Sequence, residues 1–251
     1  MIIAVGAWRG TGATVVAFAL AAAAAAADPD GAWLIEADPA GGVLAGRVQL
    51  GQFALAGLEQ VAFPTERGAV ISTLHEVSQR VGDVSVVAAP ADPFRAFACH
   101  QPRVPWVSAL RELPGTVVVD VGRLRAGSPA WPLLQLADEM LLVSSPEVTA
   151  VVASDDWARN GGRVSPSEAG IEPQRCRLVI VDSPAGVAFP SSTLAADLGT
   201  TCAGRLPWEP SAVDLLYRGA SLTDRRLRKS QFASAVRRLA ANVAAPQLVA
   251  S

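Results

Sequence analysis

Residues 3 to 20 read IAVGAWRGTGATVVAFAL, an apolar run followed by a glycine-rich turn and a helix start that carries Thr14. Residue types at this spacing can hold an anion. Gly10 and Gly12 allow backbone amides to turn inward around a phosphate, and Thr14 sits where a hydroxyl would coordinate magnesium at the head of the helix. The lysine that such a loop uses is missing, because its place is taken by Ala13. Two acids belong to the same picture. Asp38 follows the run AWLIEA (32 to 37), and Asp120 lies near the end of TVVVDV (116 to 121). Ligands of an open α/β sheet gather at the carboxyl ends of its strands, so both acids fall on the side where the glycine turn opens. One such acid could be a helix cap or a turn former. Two of them beside the loop make a magnesium-phosphate constellation.

The elements that must position these groups are legible as alternation. Runs of β-branched and aliphatic residues occur at 2 to 6, 32 to 37, 83 to 89, 116 to 121, 139 to 145 and 177 to 182, with a seventh short strand near 202 to 207. Helical segments are predicted at 13 to 27, 67 to 80, 129 to 137, 148 to 160, 191 to 198, 209 to 218 and 230 to 244. In the last, Phe232, Val236, Leu239 and Val243 form one apolar stripe behind an N-cap at Ser230. Continuous apolar strands separated by crossover lengths predict a single α/β, doubly wound domain, with a mostly parallel sheet of about seven strands and helices on both faces. That domain is expected over residues 1 to 245, with 246 to 251 as a disordered tail.

Composition excludes several classes. The chain has 251 residues, 51% hydrophobic and only 18% charged, with a mean hydropathy of +0.31, as suits a sheet buried on both faces. Its net charge of -2 argues against wrapping by nucleic acid, though a local basic patch remains open. Cys99, Cys176 and Cys202 are odd in number and widely spaced, and His75 and His100 have no ligand spacing, so neither a disulfide framework nor a zinc site is expected. The adjacent Cys99 and His100 read as ordinary structural residues. The alanine-rich run 13 to 27 would span about 22 Å as a helix, short of a bilayer core of about 30 Å, so no transmembrane segment is expected. No GxSxG elbow and no GxGxxG fingerprint occur.

The succession GAWRGTGAT, WLIEADPAGG, VVVDVGR, ADEMLLVSSPEVTAV, LVIVDSP and AGRLPWEPSAVDLLYRGASL resembles the ParA/MinD family of deviant Walker A ATPases over nearly the whole chain. That family's loop reads KGGxGK[ST], and its second-strand motif commonly reads DxDPxG. The resemblance implies a P-loop NTPase fold with ATP or ADP and Mg2+ as its ligand, or with no ligand where the altered loop no longer binds. It assigns the phosphate cradle to Arg9, Gly10, Thr11, Gly12, Ala13 and Thr14, and the metal to Thr14, Asp38 and Asp120. Asp38 takes the position implicated in hydrolysis, with Glu36 as its acidic companion. Asp182 stands where the family often has an adenine-contacting Asn, and Pro207, in the late segment that follows the family's pattern, is assigned to cofactor binding. The departures are as specific as the matches: Trp8 occupies the signature lysine, Arg9 replaces a glycine, and Ala13 replaces the phosphate-binding lysine.

Loss of one charge-stabilising group commonly costs on the order of 10² to 10³ in rate, and this loop lacks both lysines. Of the 21 basic residues, only Lys229 is a lysine. Hydrolysis is therefore expected to be weak or absent. Lysine-poor loops of this kind resemble the CpaE/TadZ branch, which implies a homodimeric localisation or scaffold protein for a Flp/Tad-type pilus or secretion apparatus, with pilus or secretion ATPases and membrane-complex proteins as partners. It would be cytoplasmic, at the inner-membrane periphery or a cell pole. The alternative is an active ParA-type ATPase in DNA partitioning or division-site placement. It would bind DNA nonspecifically through Arg218, Arg225, Arg226, Arg228, Arg237 and Arg238, which otherwise form a solvated helix face.

Overall fold

The structure, a computed structural model, describes residues 1–48, 57–64, 69–101, 105–125, 127–162, 170–184 and 200–245. Its frame is one eight-stranded sheet: β1 (Ile2–Ala7), β2 (Ala32–Glu36), β3 (Gln79–Val81), β4 (Val84–Val87), β5 (Thr116–Arg123), β6 (Glu139–Ser144), β7 (Cys176–Val181) and β8 (Cys202–Leu206). The strand order is β3-β4-β2-β5-β1-β6-β7-β8. Every neighbouring pair is parallel except β3 with β4.

All six residues of β1 are buried, because helices cover both faces of the sheet and leave no polar side to alternate with. Ile3 and Val5 join one core with the helices α1 (Ala13–Ala27), α9 (Pro210–Tyr217) and α10 (Gln231–Ala244). Ile2 and Ala4 join the other. That second core is built with the shorter helices α3 (Leu58–Ala62), α4 (Val70–Val77), α6 (Trp106–Ala109) and α7 (Trp131–Leu136), and with Ala158 of α8 (Val148–Arg159). The remaining helices are α2 (Leu44–Arg47) and α5 (Pro93–Ala98).

The helices expected at 13 to 27, 129 to 137, 148 to 160, 209 to 218 and 230 to 244 form to within two residues. Ser230 caps α10 by accepting from the Ala233 amide at 3.0 Å, and Phe232, Val236, Leu239 and Val243 are buried. The expectation of a helix over 67 to 80 needs correction among the described residues. The helix ends at Val77, and Gln79–Val81 instead pair antiparallel with β4 through a turn at Gly82 and Asp83. Gly82 takes φ of 59° there, the left-handed conformation that hairpin turns demand. This edge strand makes the sheet eight-stranded. The helix expected at 191 to 198 and the tail 246 to 251 lie outside the described residues.

The chain leaves β1 by α1 for β2 on one side and later enters β6 on the other, so β1 is the point where the strand order reverses. The crevice at its carboxyl end is the place such a sheet offers to a ligand. The alanines of α1 allow that helix to lie close to the strands, and Ala17 and Ala21 are fully buried. Enlarging Ala17 to Leu should lower stability by about 1–3 kcal/mol, the usual cost of overpacking, as a shift in the urea unfolding midpoint with little change in slope.

Candidate functional site

The turn after β1 is fastened at its middle. The Thr11 hydroxyl donates to the Val143 carbonyl on β6 at 2.9 Å, and the Thr11 amide donates to the Arg9 carbonyl at 2.7 Å. Gly12 follows with φ of 92°, open to glycine and strained for most other residues. The Gly12 carbonyl then accepts the Val16 amide at 3.1 Å to begin α1. No side chain caps this helix and its first turn contains no acid. Its leading amides and the positive end of its dipole therefore face outward unneutralised.

Asp120 lies beneath the turn. It pairs in register with Val5 on one side and Glu36 on the other. A bulge between Val5 and Gly6 then lets β5 run one residue ahead. Asp120 is fully buried. Its Oδ1 accepts the Gly122 amide at 3.0 Å, while its Oδ2 has no partner. Gly122 takes φ of 62°, and a Cβ there would lie 2.0 Å from Asp38 Cγ. Asp38 thus rests directly on the backbone of β5, with its Oδ1 accepting the Ala40 amide at 2.8 Å. Burial raises the Asp38 carboxyl, and the nearby Ala40 amide and the charges of Arg123 and Arg125 oppose that rise.

Glu36 has a different task from its neighbours. Its Oε1 accepts the amides of Val43 at 2.6 Å and Leu44 at 2.9 Å, and its Oε2 accepts that of Ala89 at 3.0 Å. One buried carboxylate therefore ties the segment after β2 to the segment after β4. Paired with Asp38 in the sequence motif, it acts in the fold as an anchor.

A cavity of about 340 Å³ opens over these groups, lined by the whole turn from Arg9 to Thr14, by Asp38, and by Arg47, Arg123 and Arg125. The structure brings together the cradle and Asp38 as the sequence predicts, with Thr14 acting on the Asp120 carboxyl below. It does not bring Asp182 or Pro207 to this cavity. Asp182 follows β7 and accepts from Arg205 Nε at 2.7 Å, and Pro207 follows β8. The arginines Arg47, Arg123 and Arg125 were missed by sequence reasoning. Arg123 and Arg125 carry the signal that found Asp120, namely position at the end of a strand, whereas Arg47 carries none.

The buried, unpartnered Oδ2 of Asp120 and the uncapped head of α1 fit a magnesium-bound phosphate group. Thr14, Asp38 and Asp120 would hold the metal, which would screen phosphate charge, and the loop amides would hold the oxygens. Ala13 provides no cation to this cradle. Among the described residues no three His, Cys, Asp or Glu side chains gather as a metal cluster. No helix among them is long and apolar enough to cross a membrane.

The candidate basic face is partly neutralised. Arg226 pairs with Asp224 at 2.8 Å and Arg218 with Asp214 at 3.0 Å. Arg237 donates to the Leu222 carbonyl and Arg238 to the Ser234 hydroxyl, and Arg225 and Arg228 are exposed. Of the three free cysteines, Cys99 and Cys176 are buried, which pushes their thiols up to about 11 and about 12, away from nucleophilic use.

This sheet, with its glycine turn at the order reversal, is the fold of the ParA/MinD P-loop ATPases. A ParA family ATPase from Chlorobium tepidum TLS superposes with a TM-score of 0.71 at 14% identity, covering 96% of this chain and 98% of that one. The septum site-determining protein MinD from Pyrococcus horikoshii OT3, complexed with Mg-ADP, gives 0.70 at 14% identity and covers 97% and 96%. A putative plasmid partition protein from Borrelia burgdorferi B31, bound to AMPPNP, gives 0.66 at 12% identity and covers 96% and 97%. No protein-family model matches the chain, and no curated protein matches it in sequence.

Two outcomes follow from the buried acids. Glu36→Ala leaves three amides without their acceptor and should cost about 2–4 kcal/mol, since hydrogen bonds to charged groups are each worth about 1.5–3 kcal/mol; urea unfolding reads this. Burial, first among its causes, lifts the Asp120 carboxyl to about 7. A group raised in the fold lends its stability in full below the unfolded value, about 4, and loses it as pH rises through about 7. The wild type should weaken between those limits, and Asp120→Asn should show a flatter profile over the same window.

Proposed function

We propose that this chain is a ParA/MinD-like nucleotide-binding switch with weak or absent ATP hydrolysis, which acts as a localisation or scaffold protein. The observation that carries this is the cavity itself. An uncapped helix head and glycine turn face Asp38 over the unpartnered Asp120 Oδ2, while the loop contains no lysine. Solved proteins of this fold include one with Mg-ADP and one with AMPPNP, which supports a magnesium nucleotide as the ligand.

Binding without turnover follows from what remains. The amides and acids can seat a diphosphate, but transition-state charge on the transferring group needs a cation placed in advance. Asp38 would then be a vestige of catalysis and a working metal ligand. Trp8, large and exposed beside the turn, offers an apolar contact where the family's lysine crosses to a second copy, which fits a homodimer formed over this face. The lysine-poor loop supports a CpaE/TadZ-like placement role for a Flp/Tad-type pilus or secretion apparatus. The protein would work in the cytoplasm, at the inner-membrane periphery or a pole.

Isothermal titration with MgADP and MgATP, followed by phosphate-release assays, tests this. Saturable binding is expected, with turnover at least about a hundredfold below that of a loop with its lysines intact. Robust magnesium-dependent turnover would sink the pseudoenzyme reading. If turnover came with ATP-dependent, salt-sensitive DNA retention that fell on neutralising Arg225, Arg226 and Arg228, the partition-ATPase alternative would take its place.

A further inference from the structure

Four guanidinium groups, those of Arg9, Arg47, Arg123 and Arg125, line the cavity over the glycine turn, against the single carboxylate of Asp38 in the same lining. Among the described residues none of the four lies in a salt bridge within 4.0 Å. All four are exposed to solvent, and in a chain of net charge -2 they gather positive charge at the mouth of one cavity, where it would draw an anion.

The three arginines outside the turn come from different places. Arg123 ends β5, and its Nη2 would stand 3.0 Å from a Cβ on Gly10, so the guanidinium lies against the open turn. Arg125 follows two residues later, and the charges of both act on Asp38. Arg47 ends α2, where its Nη1 donates to the Tyr217 hydroxyl at 3.2 Å and its guanidinium carbon lies 5.9 Å from the Tyr217 ring centroid. Tyr217 is itself held edge-on against Phe18 of α1, at 5.1 Å between centroids. An arginine packed on a fixed aromatic ring has lost much of its rotamer freedom before any ligand arrives, which lowers the cost of a later contact.

We infer that Arg47, Arg123 and Arg125 form an arginine clamp that takes over the phosphate-binding charge of the missing loop lysines, making this cavity a site for a polyphosphate chain. The inference rests on the nucleotide-switch reading for the natural ligand, but the clamp itself requires only linked phosphates. The planar fork of each guanidinium donates paired hydrogen bonds to phosphate oxygens, which a lysine cannot do. The clamp approaches from β5 and α2, opposite in origin to a lysine rooted at position 13. Charge is thereby restored for binding, without being restored at the atom from which a loop lysine would act. Tyr217 serves as the positioning residue for Arg47.

The test titrates the full-length protein with MgADP, MgATP and inorganic tripolyphosphate at low salt, for the wild type and for Arg47→Gln, Arg123→Gln, Arg125→Gln and the triple variant. Arg80→Gln, on exposed β3 away from the cavity, controls for the change in charge. Arg123 and Arg125 are exposed, so the unliganded unfolding midpoint of their single variants should stay near that of the wild type, while variants at Arg47, which lose the contact with Tyr217, are titrated below their own measured midpoints. Each clamp variant should weaken tripolyphosphate about tenfold to a hundredfold, as for loss of a hydrogen bond to a charged group. Arg123→Lys should recover only part of the loss, and Tyr217→Phe should weaken binding a few fold. If tripolyphosphate binds through the arginines while nucleotides do not, the clamp stands and the nucleotide reading fails. If nucleotides bind equally well to wild type and triple variant, the clamp is overturned and the nucleotide reading survives. A wild type that binds none of the three ligands overturns the clamp.

Discussion

Asp38 can reach the centre of the sheet because Gly122 has no side chain. The strand β5 turns into the left-handed region at that residue, folds its amide back onto Asp120 and leaves bare backbone on which the Asp38 carboxyl rests. The same local bulge offsets β5 against β1 and brings Arg123 to the end of the strand, next to Gly10. Any Cβ at 122 would collide with Asp38, so the two acids, the arginine and the glycine turn are positioned by one constraint. Glu36 extends it outward by gathering amides from two further segments onto the same row of the sheet.

This construction separates two properties that a lysine-bearing loop supplies together. Backbone amides, a helix dipole and carboxylates for a divalent cation define where phosphates sit. A cation rooted inside the loop defines how well charge is matched as a phosphoryl group moves. Under the proposed reading the first set is complete here, while the second is displaced to arginines on other elements. Guanidinium forks are strong ligands for phosphates because they donate paired hydrogen bonds, and what they lend to a transferring group depends on where they stand relative to it.

Much of this was readable from the chain. The strands are apolar throughout because both faces are covered, so each central strand stood out as an uninterrupted run, and Asp38 and Asp120 could be placed by the simple rule that strand ends face the ligand. Ala17 and Ala21 fall in a run whose lack of a polar face announced a buried helix. What escaped were features set by tertiary approach. The strand β3 is three residues long and was absorbed into the pattern of the helix before it. Glu36 resembles its neighbour Asp38 in type and spacing, and only the fold shows that its carboxylate is consumed by three amides. Arg47 is brought to the cavity by the turn of α2 and by Tyr217, 170 residues away in the chain, a meeting that no local periodicity records.

The central claim is that a glycine turn without lysine still seats phosphates, with charge supplied from β5 and α2. A crystal structure of the protein grown with MgADP addresses it most directly. The account predicts the diphosphate over the Gly10 to Thr14 amides, the metal beside Thr14 and Asp120, and Arg123 within hydrogen-bond distance of a phosphate oxygen. A nucleotide seated elsewhere, or a diphosphate in the turn with all three arginines directed away from it, would contradict the account.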